Sequence, residues 1–129
     1  MTNLPQVNLP KIGEIQFKLF VGEDSGTIRA RSASREIGYI VWDSPEPDII
    51  ELCDIMIHNA ADRGHGLGNY LVNALINYAK EIGMTKVIGQ TAENDPPVHD
   101  FYRKLGFDFP CPPERGSIMF ELTILPHNT

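Results

Sequence analysis

Ile15, Phe17, Leu19 and Val21 alternate with Gln16, Lys18 and Phe20. A period of two predicts a strand. Thr27 to Arg31 sets Ile28 and Ala30 between basic residues, a half-buried strand, and Glu36 to Trp42 is rich in β-branched and aromatic residues, a third. Gly22–Gly26 and Ser32–Arg35 supply turn chemistry between them. Pro45 and Pro47 predict a loop over Asp43–Asp48. Ile49 to Ile57 is the most continuous apolar run and reads as a central strand. The period then changes. Leu67, Leu71, Ala74, Leu75, Tyr78 and Ile82 recur at helical spacing and predict a helix from about Gly66 to Ile82, stopped by Gly83. Lys86 to Thr91 is a strand. Pro96 and Pro97 suit the first turn of a second helix, Val98 to Leu105, ended by Gly106. A short strand start at Phe107–Phe109 meets prolines, and Ile118 to Leu125 is the last strand, with Phe120, Leu122 and Ile124 on one face. A strand meander followed by strand–helix–strand–helix–strand is α+β with a mixed sheet. Met1 to Lys11, holding Pro5 and Pro10, is expected as a loose N-terminal arm, and residues 12–129 as one domain.

The chemistry centres on Arg63-Gly64-His65-Gly66-Leu67-Gly68, just ahead of the long helix. Glycines allow a tight turn and close approach of a ligand to backbone N–H groups. The unpaired N–H groups of a helix start sit at the positive end of its dipole, a place for an anion such as phosphate. A P-loop would need Gly-Lys-Ser/Thr, but Asn69-Tyr70 follow Gly68. A dinucleotide fingerprint would need a third glycine where Asn69 stands. The spacing that fits is Arg-x-x-Gly-x-Gly on Arg63, Gly66 and Gly68. It resembles the acetyl-CoA pyrophosphate loop of the GNAT superfamily of N-acetyltransferases. Alone, a glycine turn that merely starts a helix explains it equally well.

A second stretch, Asn94 to Phe107, resembles the family's later motif, in which an Asn opens a short helix ending in Tyr-x-x-x-Gly-Phe, here Tyr102 to Phe107. The resemblance covers roughly Ile49 to Phe109. It implies a twisted sheet whose central strands splay to admit the pantetheine arm of acetyl-CoA. It also implies cofactor contacts from Ile55, Met56 and Ile57, from Arg63, Gly64, His65, Gly66, Leu67, Gly68 and Asn69, and from Asn94 and Tyr102. Tyr102 takes the place of the acid that protonates the departing thiolate. One departure stands out. Family members place helices between the first two strands, walling the acceptor side, whereas Gly22–Gly26 leaves room only for a hairpin. The acceptor side is then either open or completed by a second subunit, and a homodimer that rebuilds the wall is the expectation.

Acyl transfer needs a neutral amine, which costs about 4–5 kcal/mol at pH 7 for a lysine-like group. Glu51 and Asp54 are the candidate bases. Strict alternation puts Glu51 with Cys53 and Ile55, and Asp54 with Leu52 and Met56. Taken alone, each reads better as a solvated or paired structural carboxylate. Glu51 is the choice, and a strand bulge would reverse the parity. Cys53 reads as a small core residue, and Trp42 as core sooner than acceptor wall.

Composition narrows the rest. At 129 residues and 42% hydrophobic, the chain is one soluble domain of ordinary size. Its net charge of −6 argues against nucleic acid and anionic membrane as partners and allows a cationic amine acceptor. Two cysteines make no disulfide framework, and the four histidines have no metal-ligand spacing, so no metal is expected. Met1–Pro10 does not read as a signal peptide, and the cytoplasm is the default compartment. The leading reading is an acetyl-CoA-dependent N-acetyltransferase; the alternative is a noncatalytic CoA-binding or interaction module of the same fold.

Overall fold

The computed structural model describes residues 6–9, 12–33, 35–64 and 66–124. Seven strands form one sheet in chain order: β1 (Gln6–Leu9), β2 (Gly13–Val21), β3 (Ser25–Ser32), β4 (Arg35–Glu46), β5 (Ile49–Ile57), β6 (Lys86–Ala92) and β7 (Ser117–Thr123). Neighbours are antiparallel except β5 and β6, which run parallel. A parallel pair requires a crossover, and α1 (Leu67–Glu81) supplies it. The shorter α2 (Pro96–Lys104) joins β6 to β7.

The helical spacing read from the sequence is the buried stripe of α1 from Leu67 to Tyr78; Ile82, placed in the same series, is the C-cap of the helix and is exposed. Leu71, Val72, Ala74 and Leu75 are fully buried against β3 to β6. They meet Ile28 and Ala30 of β3, Ile40 and Trp42 of β4, and Ile50 and Leu52 of β5. Each buried Leu or Ile contributes about 1.5–3 kcal/mol of transfer energy. Trp42 packs 5.4 Å from the Tyr78 ring, ring centre to ring centre, in this core. The other face of β2 to β5 carries Gln16, Lys18, Phe20, Thr27, Arg29, Tyr39, Val41, Asp43, Asp54 and Met56, and none of them is buried. β2 and β3 are joined by a tight hairpin, closed by Gly22 N–H donating to Ser25 O at 2.8 Å, with no helix between them.

Three details depart from the sequence reading. The expected loose arm contains β1, paired with β2 from Gln6↔Gln16 to Leu9↔Gly13. β4 continues through Pro45 to Glu46, because the register breaks between Asp43 and Glu46 and the missing proline N–H falls in that break. β5 carries a bulge: Trp42 pairs with Leu52 but Val41 pairs with Asp54, leaving Cys53 as the extra residue. Cys53 is consequently exposed and not a core residue.

Candidate active site

The bulge resets the faces of β5. Ile50 and Leu52 point into the core before it, Ile55 and Ile57 after it. Glu51 therefore does not share a face with Ile55, as alternation had it. Glu51 and Asp54 lie together on the open face, opposite Asp43 and Val41 of β4 respectively.

β5 and β6 pair only from Ile49↔Lys86 to Leu52↔Gly89. Beyond that point the strands separate, and Cys53–Ile57 and Gln90–Ala92 border a gap. His58 N–H donates to Ile37 O of β4 at 3.0 Å. Alternation then turns the backbone of Ile57, and of Ile55 with it, toward the gap. Met56 points its backbone the other way, and its side chain is exposed on the open face.

The glycine loop closes one end of this gap. Arg63 Nε and Nη2 both donate to Ile57 O, at 3.3 and 3.1 Å, so the guanidinium ties the loop to the end of β5. Gly64 (φ +81°) and Gly66 (φ +86°) are left-handed, a conformation that costs other residues about 1–2 kcal/mol. Gly66 caps α1, its carbonyl accepting from Tyr70 N–H at 3.2 Å. The N–H groups of Leu67, Gly68 and Asn69 precede that first bond and have no partner inside the helix. Leu67 buries its side chain, so only its backbone serves a ligand. A Cβ on Gly68 would lie 3.5 Å from the Phe101 ring of α2, so this glycine brings the two helices close. No acidic residue stands in the first turn of α1. Asp62, buried just before the loop, is paired with Arg35 at 3.2 Å. His65 lies outside the described residues.

α2 starts on Pro96 and Pro97 with Asp95 as its N-cap; Asn94 sits one residue earlier and is exposed. The His99 ring bonds Ala92 O at 2.8 Å and packs 5.1 Å from the Phe109 ring, which fastens α2 to the end of β6. That tether was not foreseen, because nothing local pairs residue 99 with residue 92. Tyr102 is buried, stacked on Phe120 at 3.8 Å with Phe101 and Phe107 edge-on. Among the described residues none hydrogen-bonds its hydroxyl, and none leaves a fully buried polar side-chain atom unpartnered. The hydroxyl therefore reaches accessible surface at the edge of an aromatic cluster. Burial pushes its pKa up to about 12.

A polar network crosses the open face beside β5. Arg29 Nη1 and the His58 ring each reach a Glu36 oxygen at 2.7 Å, and Tyr39 O–H donates to Asp54 Oδ2 at 3.2 Å. The His58 bond, then that of Arg29, holds the Glu36 carboxyl below its ordinary pKa, and the Asp54 bond raises that of Tyr39. Glu51 makes no ion pair among the described residues.

The sequence profile of the Acetyltransferase (GNAT) family matches residues 9–107. Solved structures share the fold. The GNAT domain of S. lividans PAT superposes with a TM-score of 0.79 at 13% identity, over 93% of this chain and 96% of that one. A Bacillus subtilis acetyltransferase in complex with CoA gives 0.74 at 16% identity, over 86% and 99%. A GNAT family acetyltransferase from Elizabethkingia anophelis with acetyl-CoA bound gives 0.68 at 19%, over 78% and 77%. No curated protein matches the sequence. No helix among the described residues is long and apolar enough to cross a membrane.

Proposed function

Since the chain belongs to the GNAT family of acetyltransferases, we propose that it moves an acetyl group from acetyl-CoA to a primary amine by direct attack. The observation that carries this is the pairing of β5 and β6 ending at Leu52↔Gly89, with the glycine loop and the start of α1 at the mouth of the gap. The pyrophosphate of CoA rests on the N–H groups of Gly66 to Asn69, with Gly64 and His65 forming the turn and Arg63 holding it. The pantetheine arm enters the gap beside Ile55, Met56 and Ile57, and Asn94 lies on its other side. A backbone N–H of Ile55 or Ile57 meets the thioester oxygen as charge builds on it. The incoming amine gives its proton to a carboxylate on the open face. Glu51 and Asp54 both stay candidates, since both lie on that face. Tyr102 protonates the departing thiolate. A second copy of the chain walls the acceptor side, residues 12–129 act as one unit, and the enzyme works in the cytoplasm.

Calorimetry with CoA, followed by thiol release from acetyl-CoA on a panel of polyamines, amino acids and peptides, tests the reading. Binding with turnover supports it; binding without turnover on any amine would leave a noncatalytic CoA module. Two variants test the loop. Gly66→Val forces a β-branched residue into the left-handed region and should abolish measurable CoA binding, while circular dichroism stays that of a folded protein. Arg63→Ala leaves the N–H groups in place and should weaken CoA by about 1–3 kcal/mol. Unchanged affinity in Gly66→Val would remove the loop from the cofactor site.

A further inference from the structure

We propose that Tyr39 is a positioning residue for the acetyl transfer: its hydroxyl holds the carboxylate of Asp54 at the edge of the β5–β6 gap, where Asp54 takes the proton of the incoming amine. This rests on the acetyl-transfer reading above and chooses between its two carboxylates. The strand registers separate them. Glu51 pairs with Asp43 on one side and with Ile88 of β6 on the other, so it lies where the sheet is still closed. Asp54 comes after the last β5–β6 pair, Leu52↔Gly89, and has β4 on one side and the gap on the other. A base that serves an amine attacking a thioester in the gap must border that gap, and of the two carboxylates Asp54 does.

Asp54 is exposed, and an exposed carboxylate ordinarily turns among several rotamers. Here one side chain restrains it. Tyr39 pairs with Met56 and Val41 with Asp54, so Tyr39 and Asp54 are diagonal neighbours on one face, within reach of a long aromatic side chain. Tyr39 O–H donates to Asp54 Oδ2 at 3.2 Å. The ring that carries this hydroxyl is bracketed. The Arg29 guanidinium, from β3, lies 5.4 Å from its centre, and the His58 ring, from the end of β5, lies 5.5 Å away. Glu36 ties the two brackets together, with one oxygen on each at 2.7 Å. Oδ1 of Asp54 makes no bond among the described residues and is left for the amine. The ammonium gives one proton to Oδ1, and the freed lone pair attacks the thioester carbon. As the carbon–sulfur bond breaks, sulfur takes the Tyr102 proton. The new amide nitrogen returns its second proton to that phenol through water, and Asp54 releases its own to solvent. Ammonium and thioester thus yield amide, thiol and one proton.

Steady-state kinetics on an amine that the wild type acetylates, with a double-mutant cycle, tests the pair. Asp54→Asn should lower kcat at least about a hundredfold, and Glu51→Gln far less. Tyr39→Phe keeps the bracketed ring and removes only the bond. It should lower kcat at least about threefold with the KM for acetyl-CoA unchanged, and should have no further effect once residue 54 carries the Asp54→Asn change. Circular dichroism should stay that of wild type in all of them. An Asp54→Asn variant as fast as wild type, or no slower than Glu51→Gln, overturns the choice of Asp54. A Tyr39→Phe change without effect on kcat, or one that slows the Asp54→Asn protein as much as it slows wild type, overturns the positioning role. Both outcomes leave acetyl transfer standing. A wild type that binds CoA but acetylates no amine overturns acetyl transfer and this inference together.

Discussion

Gly89→Ala is expected to destabilise the protein by about 3 kcal/mol or more, at the upper end of overpacking. Gly89 pairs with Leu52 on one side and Phe120 on the other, at the last step before β5 and β6 part. A Cβ built there would collide with the tip of the Phe120 ring, at Cζ and the two Cε atoms. The ring has nowhere to go: it is 1% exposed, stacked on Tyr102 at 3.8 Å and edge-on to Phe107 at 5.2 Å. Either the aromatic cluster shifts or β6 moves away from β7. Urea denaturation should show the loss as a lower midpoint at unchanged slope. A stability within about half a kcal/mol of wild type would mean that the cluster yields more easily than its packing implies. A variant that still folds should also turn over slowly, because the displaced ring is the one beneath Tyr102.

Tyr102→Phe is expected to lower the turnover rate at least about tenfold while leaving the affinity for CoA nearly unchanged. The substitution removes one oxygen and keeps the stack on Phe120. That hydroxyl has no partner among the described residues, so its loss costs the fold little. A pKa of about 12 keeps the phenol protonated throughout the working range, ready to meet a sulfur that becomes basic as the tetrahedral intermediate collapses. The rate should therefore show no alkaline limb from Tyr102 below that value. Stability carries the same signature. A pKa raised above the ordinary phenol value of about 10 favours the folded, protonated form. Its contribution is complete below about pH 10 and is lost as the pH rises toward 12. The Phe variant should lose less stability than wild type across that interval. Equal turnover in wild type and variant would make Tyr102 a packing residue and leave proton delivery to water.

Period and punctuation made much of this architecture readable in advance. The helical spacing from Leu67 to Tyr78 is the stripe that α1 buries, and Pro96 and Pro97 do open α2. The left-handed glycines at 64 and 66 are where the loop needed them. What could not be read depends on registers between strands. The Cys53 bulge adds one residue with no mark in composition, yet it moves every later residue of β5 to the other face. Strict alternation therefore separated Glu51 from Asp54, which the fold brings to one side. Pro45 was set in a loop because the break that tolerates it belongs to the pairing with β5. The Glu36–His58 contact and the His99 tether likewise join residues that only tertiary structure brings near.

The order of the sheet bears on how the chain is made. Strand order equals chain order, so each of β2 to β5 pairs with the strand synthesised just before it. Such near-neighbour pairing closes short loops and folds quickly. As the chain leaves the ribosome, the meander can assemble strand by strand on template already present. Only the parallel joint from Ile49↔Lys86 to Leu52↔Gly89 must wait, since it needs all of α1 before β6 can return to β5. The gap that borders that joint is accordingly among the last features to form during synthesis, and until then β5 is an open template edge, the point at which a nascent chain is most exposed to pairing with the wrong partner.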